Sequence, residues 1–253
     1  MRLTVFGSGS KGNCYLLHNQ EEALMLEAGI PFSKVLKGCK KMPHLLGCLV
    51  THEHKDHAGY VNDLCDYGVR VWMTDGTKNS LKLRSRISSP KVLKGYPGHA
   101  AEPEYEMMKV GGFTIKPFAT IHDAKEPVGF LIHHAEIGKM IFATDTNYLP
   151  IKLPKGINNL MVECNFDDEL LTQRADIPEE TKERIRDNHM SIDTCLEVMR
   201  QNDTSTINNI VLMHLSEGDG DPEAFGRQVA EITNKTVHIA KAGLDIEFNV
   251  SPF

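Results

Sequence analysis

The chain has 253 residues, 41% of them hydrophobic and 25% charged, with a net charge of −6; this balance fits a globular protein and excludes a disordered or low-complexity chain. No run approaches the ~20 apolar residues of a membrane helix, and the start MRLTVFGSGSKGNCYLL lacks the apolar core and cleavage site of a secretory signal. A cytoplasmic location with no membrane partner is expected.

In chain order, strand-like apolar runs occupy 2–6, 14–18, 23–28, 45–51 and 69–74 in the first part of the chain. Helical patterns at 33–42, 58–67 and 76–86 fall between or after them. The second part repeats the theme, with runs at 113–120, 128–134, 139–144, 158–164, 209–215, 236–240 and 244–250, and helices at 179–188, 191–202 and 222–234. Two successive sets of strands and helices predict two mixed β-sheets packed face to face with helices outside, a four-layer αββα sandwich of the α/β class. No linker divides the chain, so 1–253 is expected to be one domain. The six cysteines form no C-x-x-C pair and read as free thiols, with Cys14, Cys48 and Cys164 packed in apolar runs beside a core Trp72.

Charge is unevenly spread. Residues 1–101 carry 14 basic against 8 acidic residues, and the remainder is acidic. One basic cluster holds Lys34, Lys37, Lys40 and Lys41; a second holds Lys78, Lys82, Arg84, Arg86, Lys91 and Lys94. Such segments can neutralise phosphates or can be solvated surface.

The densest chemical signal is Thr51-His52-Glu53-His54-Lys55-Asp56-His57-Ala58-Gly59, directly after a strand-like run. Residues two apart on an extended chain project to one side, so His52 and His54 can grip one ion. Asp56 and His57 fall where the following helix begins and can serve a second ion. Imidazole and carboxylate ligands suit Zn²⁺ and tolerate Mn²⁺. Further candidates end apolar runs elsewhere: His122, Asp145 and His214.

These motifs resemble the metallo-β-lactamase-fold hydrolases, in the dinuclear H-x-H-x-D-H form shared with hydroxyacylglutathione hydrolases and tRNA 3′-processing endonucleases. The resemblance implies that His52, His54 and His122 hold one metal, that Asp56, His57 and His214 hold the other, and that Asp145 bridges them. A finer likeness to the YycJ/VicX-like subfamily rests on the opening Gly7-Ser8-Gly9-Ser10-Lys11-Gly12-Asn13-Cys14, on His122-Asp123-Ala124 followed by Pro127-Val128-Gly129-Phe130, and on Asn188-His189-Met190-Ser191. It implies nucleic-acid processing, including 5′-to-3′ exonuclease activity on DNA. One departure is Glu27-Ala28-Gly29 where the family usually has Asp-Ala-Gly, an acid that supports the metal-binding loop from behind the ligands.

The expected cofactors are two divalent ions, which lower the pKa of a shared water and deliver it as hydroxide to phosphorus. Asp56, His189 and Glu163 are the candidate catalytic residues. His189 lies before a helix without an assigned metal and is the candidate proton donor or phosphate contact, the alternative being a structural cap of that helix. The related tRNA-processing enzymes place a catalytic His supported by a Glu in a comparable region, which implies Glu163 as the matching acid here unless it is a simple turn residue. Ser10, Lys11 and Asn13 are expected to border the cleft and contact substrate, and Asp123 to accept the second ring N–H of His122 or to cap a turn. The leading expectation is a phosphodiesterase acting on nucleic acid, with DNA the expected substrate. Small phosphodiesters such as cyclic nucleotides remain open. Thioester or lactone hydrolysis is disfavoured because only 39 residues follow His214, too few for a helical substrate-binding tail. A non-catalytic binding module is the third class.

Overall fold

A computed structural model describes residues 1–39, 41–97 and 103–251, so Lys40 of the first basic cluster lies outside the described residues, as does His99. The first part contains β1 (Arg2–Gly7), β2 (Cys14–His18), β3 (Glu22–Leu26), α1 (Phe32–Gly38), β4 (His44–Leu49), α2 (Lys55–Ala58), α3 (Val61–Asp66), β5 (Val71–Met73), α4 (Asp75–Ser80) and β6 (Lys91–Val92). A hairpin of β7 (Gly95–Pro97) and β8 (Pro103–Tyr105) leads into β9 (Met108–Val110), β10 (Phe113–Ala119), β11 (Val128–His134), β12 (Gly138–Ala143) and β13 (Ile157–Glu163). The remainder holds α5 (Asp168–Gln173), α6 (Glu179–Asn188), α7 (Ile192–Gln201), β14 (Asn209–Met213), α8 (Pro222–Thr233), β15 (Thr236–Ile239) and β16 (Asp245–Glu247).

Two seven-stranded sheets result, ordered β16-β1-β2-β3-β4-β5-β6 and β15-β14-β13-β12-β11-β10-β9. Each is mixed. Strands β3 to β6 run parallel, as do β12 to β15, while the other pairings are antiparallel. Runs that are apolar throughout fit strands covered on both faces. In β2, for example, Tyr15 and Leu17 enter the core between the sheets, while Cys14 and Leu16 face the outer core under α1 and α3. In β14, Val211 and Met213 face inward, and Ile210 and Leu212 pack against α7 and α8 with Cys195, Val198 and Phe225. Three cores separate four layers, which is the predicted αββα sandwich.

All twelve apolar runs are strands, and Trp72 joins the inner core. The helices at the far end also match, because Ser191 and Asp221 cap α7 and α8 as their sequences promise. Three boundaries differ. The helix expected over 76–86 stops at Ser80, because Leu81-Lys82-Leu83-Arg84 alternates with period two: the leucines pack on the outer core and the cations face solvent. The helix expected over 58–67 starts earlier, at Lys55, and breaks at Gly59-Tyr60. The helix expected over 33–42 ends at Gly38, where an added Cβ would lie 2.6 Å from the Phe6 ring. The strands β6 to β9 and the six-residue α5 are too short to show a period.

Candidate metal centre

Parallel strands deliver their C-terminal ends to one edge of a sheet. Glu163 ends β13, His214 follows β14 directly, and Asp145 follows β12 by two residues, so three strand ends converge. His122 arrives on the connection after β10, and His52 and His54 on the segment after β4. Asp56 and His57 lie within α2, and the His57 ring comes within 4.2 Å of His52.

The donors form two groups, His52-His54-His122 and Asp56-His57-Asp145-His214, and a third, Asp145-Glu163-His189-His214, overlaps the second. His122 Nε2 lies 3.1 Å from His54 Nδ1, and the rings of His52 and His122 are 4.8 Å apart. In the second group, Asp56 Oδ2 is 3.2 Å from both His57 Nε2 and His214 Nε2. Asp145 divides its oxygens between them. Oδ2 lies 3.8 Å from His52 Nε2 and 3.7 Å from His122 Nε2, while Oδ1 lies 3.3 Å from His57 Nε2 and 3.6 Å from His214 Nε2.

The nitrogens of His52, His122 and His214 turned away from this cluster are held from outside, which fixes ring orientation. Thr51 Oγ1 meets His52 Nδ1 at 2.9 Å, and the Asn188 carbonyl meets His122 Nδ1 at 3.0 Å. His214 Nδ1 faces Asn165 Nδ2 at 3.1 Å and Glu163 Oε1 at 3.4 Å. His57 Nδ1 faces Glu27 Oε1 at 3.7 Å, and Glu27 Oε2 accepts from the Thr51 N–H at 3.3 Å. Glu27 thus spans two parts of the metal loop from a fully buried position. Thr51, Asn165 and the Asn188 carbonyl were not singled out in the sequence; adjacency to His52, Glu163 and His189 is the only signal that marks them.

Backbone strain collects here. Glu27, Asp145 and His214 are three of the four described non-glycine residues with left-handed φ, at 66°, 47° and 53°; such conformations persist only where surrounding contacts over-determine them. Packing is equally tight under the loop: a Cβ on Gly29 would lie 1.7 Å from the Asp56 carbonyl oxygen.

Other predicted residues fall around this core. His189 Nδ1 is 2.7 Å from Glu163 Oε1, and its ring stacks on His214 at 5.4 Å and meets His122 at 5.2 Å. Glu163 Oε2 accepts from the Thr146 N–H at 2.7 Å. Asn13 is fully buried: its Nδ2 lies 3.0 Å from His57 Nε2 and its Oδ1 accepts from Gly9 N–H, so it braces the metal loop from below rather than opening onto the cleft. Lys11 is exposed and grips Glu217 at 2.7 and 2.8 Å, and Ser10 is exposed beside it. Asp123 does not accept the second N–H of His122, because the Asn188 carbonyl occupies that nitrogen. Instead its Oδ1 sits 3.4 Å from His122 Nε2, and its Oδ2 accepts from Arg184 Nε and Nη2, each at 2.8 Å.

The residues fit divalent cations. His52 Nε2, which faces Asp145, is buried with no hydrogen-bonding partner, an expense a protein seldom carries unless a ligand offsets it. Burial pushes the Asp145 carboxyl up, but His214, His57 and His52 overcome it and hold it well below the usual carboxylate range. Burial likewise lowers His214, yet Asp145, Asp56 and Glu163 push it up to about 10. The carboxylates therefore demand positive charge at this point. For His189, burial lowers the imidazole and Glu163 more than restores it, leaving a net rise.

The family described as the beta-lactamase superfamily domain matches residues 31–215. An exodeoxyribonuclease YycJ from Bacillus anthracis is 27% identical over 92% of this chain and 89% of its own. An exodeoxyribonuclease WalJ from Streptococcus pneumoniae serotype 2 (strain D39 / NCTC 7466) is 26% identical over 98% and 93%. The crystal structure of the metallo-beta-lactamase fold protein YhfI from Bacillus subtilis superposes with a TM-score of 0.71 at 20% identity, covering 97% of this chain and 99% of the other. The chain belongs to the beta-lactamase superfamily and is a metal-dependent hydrolase with the metallo-β-lactamase fold.

Proposed function

We propose that this hydrolase is a phosphodiesterase acting on nucleic acid, exonuclease-like and with DNA as its substrate. The observation that carries the reading is the division of the Asp145 oxygens between two donor groups, with the Glu163–His189 pair against both. His52, His54 and His122 would hold one divalent ion and Asp56, His57 and His214 the other, with Asp145 shared; nitrogen and oxygen donors suit Zn²⁺ first and Mn²⁺ second. Bound divalent ions supply Lewis acidity to a water nucleophile and to charge developing on the phosphodiester.

The chain's own residues do the remainder. Glu163 holds His189 through Nδ1 and stabilises its protonated form, and His189 Nε2, which has no partner among the described residues, gives its proton to the departing alkoxide oxygen. Asp56 fixes His57 and His214 against each other. Thr51, Asn188 and Glu27 keep the rings from turning. The names of the curated relatives favour DNA over a small phosphodiester. Among the described residues no helix is long and apolar enough to cross a membrane.

The test uses end-labelled linear and circular DNA and RNA with Mn²⁺ or Zn²⁺, comparing the native chain with Asp145→Ala. Loss of linear DNA alone, abolished by the substitution, is the expected result. No cleavage of any polymer with either ion would overturn the proposal in favour of small phosphodiesters or thioesters.

A further inference from the structure

A cavity of about 380 Å³ opens beside the metal loop, lined by Glu53, Lys55, Asn62, Lys82 and Arg84 together with apolar parts of α2 and α3. Glu53 and Lys55 alternate with His54 and Asp56 along the chain, and Glu53 Oε1 accepts from the N–H of Lys125, three residues after His122, so the hollow is built on the loops that carry the candidate donors. Lys82 and Arg84 arrive from the segment after α4, where the period-two alternation turns Leu81 and Leu83 into the outer core and both cations outward. Asn62 fixes that segment on α3, donating to the Lys82 carbonyl at 3.1 Å and accepting from the Arg84 N–H at 2.6 Å. The cations are therefore presented by an anchored backbone.

None of the three charged side chains has a hydrogen-bonding or ion-pair partner among the described residues. The one acid lining the cavity, Glu53, has Oε1 engaged by the Lys125 N–H. Glu53 sets one negative charge against three positive ones, so the lining is net positive, and a row of phosphates offers these cations the anions that the protein does not.

We infer that this hollow is the track for the phosphodiester backbone of a nucleic-acid strand whose reacting end lies at the metal centre, with Lys55, Lys82 and Arg84 contacting phosphates away from the scissile bond. The inference rests on the phosphodiesterase reading and adds where the polymer runs. Cations on non-reacting phosphates contribute affinity and salt dependence without touching the chemistry.

The experiment compares the native chain with Lys82→Ala/Arg84→Ala, measuring fluorescence anisotropy of a labelled 20-nucleotide single strand across a salt series, and hydrolysis of bis(p-nitrophenyl) phosphate. Lys109→Ala/Lys155→Ala removes the same charge from exposed positions near the start of β10 and before β13, at the opposite end of that sheet from His122 and Glu163. The expected result is binding weakened about tenfold or more, with a log–log salt slope shallower by about two, for Lys82→Ala/Arg84→Ala alone. Hydrolysis of the small ester should stay unchanged. Equal binding by all three proteins, or an equal loss in both double variants, would overturn the track. Strand binding that depends on Lys82 and Arg84 without cleavage of any phosphodiester would keep the track and overturn the phosphodiesterase reading.

Discussion

Glu163 Oε1 lies 2.7 Å from His189 Nδ1, and this contact orients a ring that stacks on His214 with only 7° between the planes. A proton donor matters most when the leaving group is a poor one. His189→Ala should therefore lower kcat on an oligonucleotide by about 100- to 10,000-fold. The loss on bis(p-nitrophenyl) phosphate, whose phenolate leaves unaided, should be far smaller. Glu163→Gln should show the same leaving-group dependence at reduced amplitude, and equal losses on both esters would remove His189 from the donor role.

Asp145→Asn tests the shared carboxylate. One of the two oxygens becomes an amide, so the donor groups no longer share an anion, and the ion content should fall from about two per chain toward one. Elemental analysis of the purified protein after dialysis measures this, independent of turnover.

Glu27 sets reach against backbone preference. Asp tolerates left-handed φ better than Glu, but its shorter side chain cannot span both the Thr51 N–H and His57. Glu27→Asp should leave the Thr51 N–H unsatisfied, costing about 1–3 kcal/mol in denaturant unfolding. Metal affinity should fall by about 10- to 100-fold. Unchanged metal binding would mean that Glu27 only fills space.

Gly29→Ala would press a methyl against the Asp56 carbonyl and the Asn13 N–H, both of them backbone. The expected cost is about 1–3 kcal/mol, with loss of metal affinity because Asp56 and His57 move with their backbone.

Chelation should lower the midpoint of thermal unfolding, since the buried His52 Nε2 loses its only counterpart. A ligand present at 1,000 times its Kd stabilises the folded state by about 4 kcal/mol. Restoring Zn²⁺ or Mn²⁺ should recover the midpoint, and a scan insensitive to both would contradict the fit of these donors to a divalent ion.

Much of this fold was legible because its strands are buried on both faces. A run such as Asn209–Met213 carries its own signature and needs no partner to identify it. The candidate donors were legible for a related reason: polar residues that end such runs, as His214 does, converge where parallel strands end. What escaped depended on three-dimensional contact. The segment 81–86 reads as helix by composition, yet Leu81 and Leu83 find the outer core only in an irregular conformation. Asn13 looked like a loop residue open to substrate and is instead sealed beneath His57. The left-handed backbones of Glu27, Asp145 and His214 carry no sequence mark, since glycine occupies none of them.

The donor set is split across the two sheets. His52, His54, Asp56 and His57 come from connections of the first sheet, and His122, Asp145 and His214 from those of the second. Neither half owns a complete site, and each proposed ion draws on both. Metal uptake is then a readout of sheet docking: a chain whose halves have formed but not closed on each other should bind ions weakly, and a filled site should act as a clasp that slows their separation.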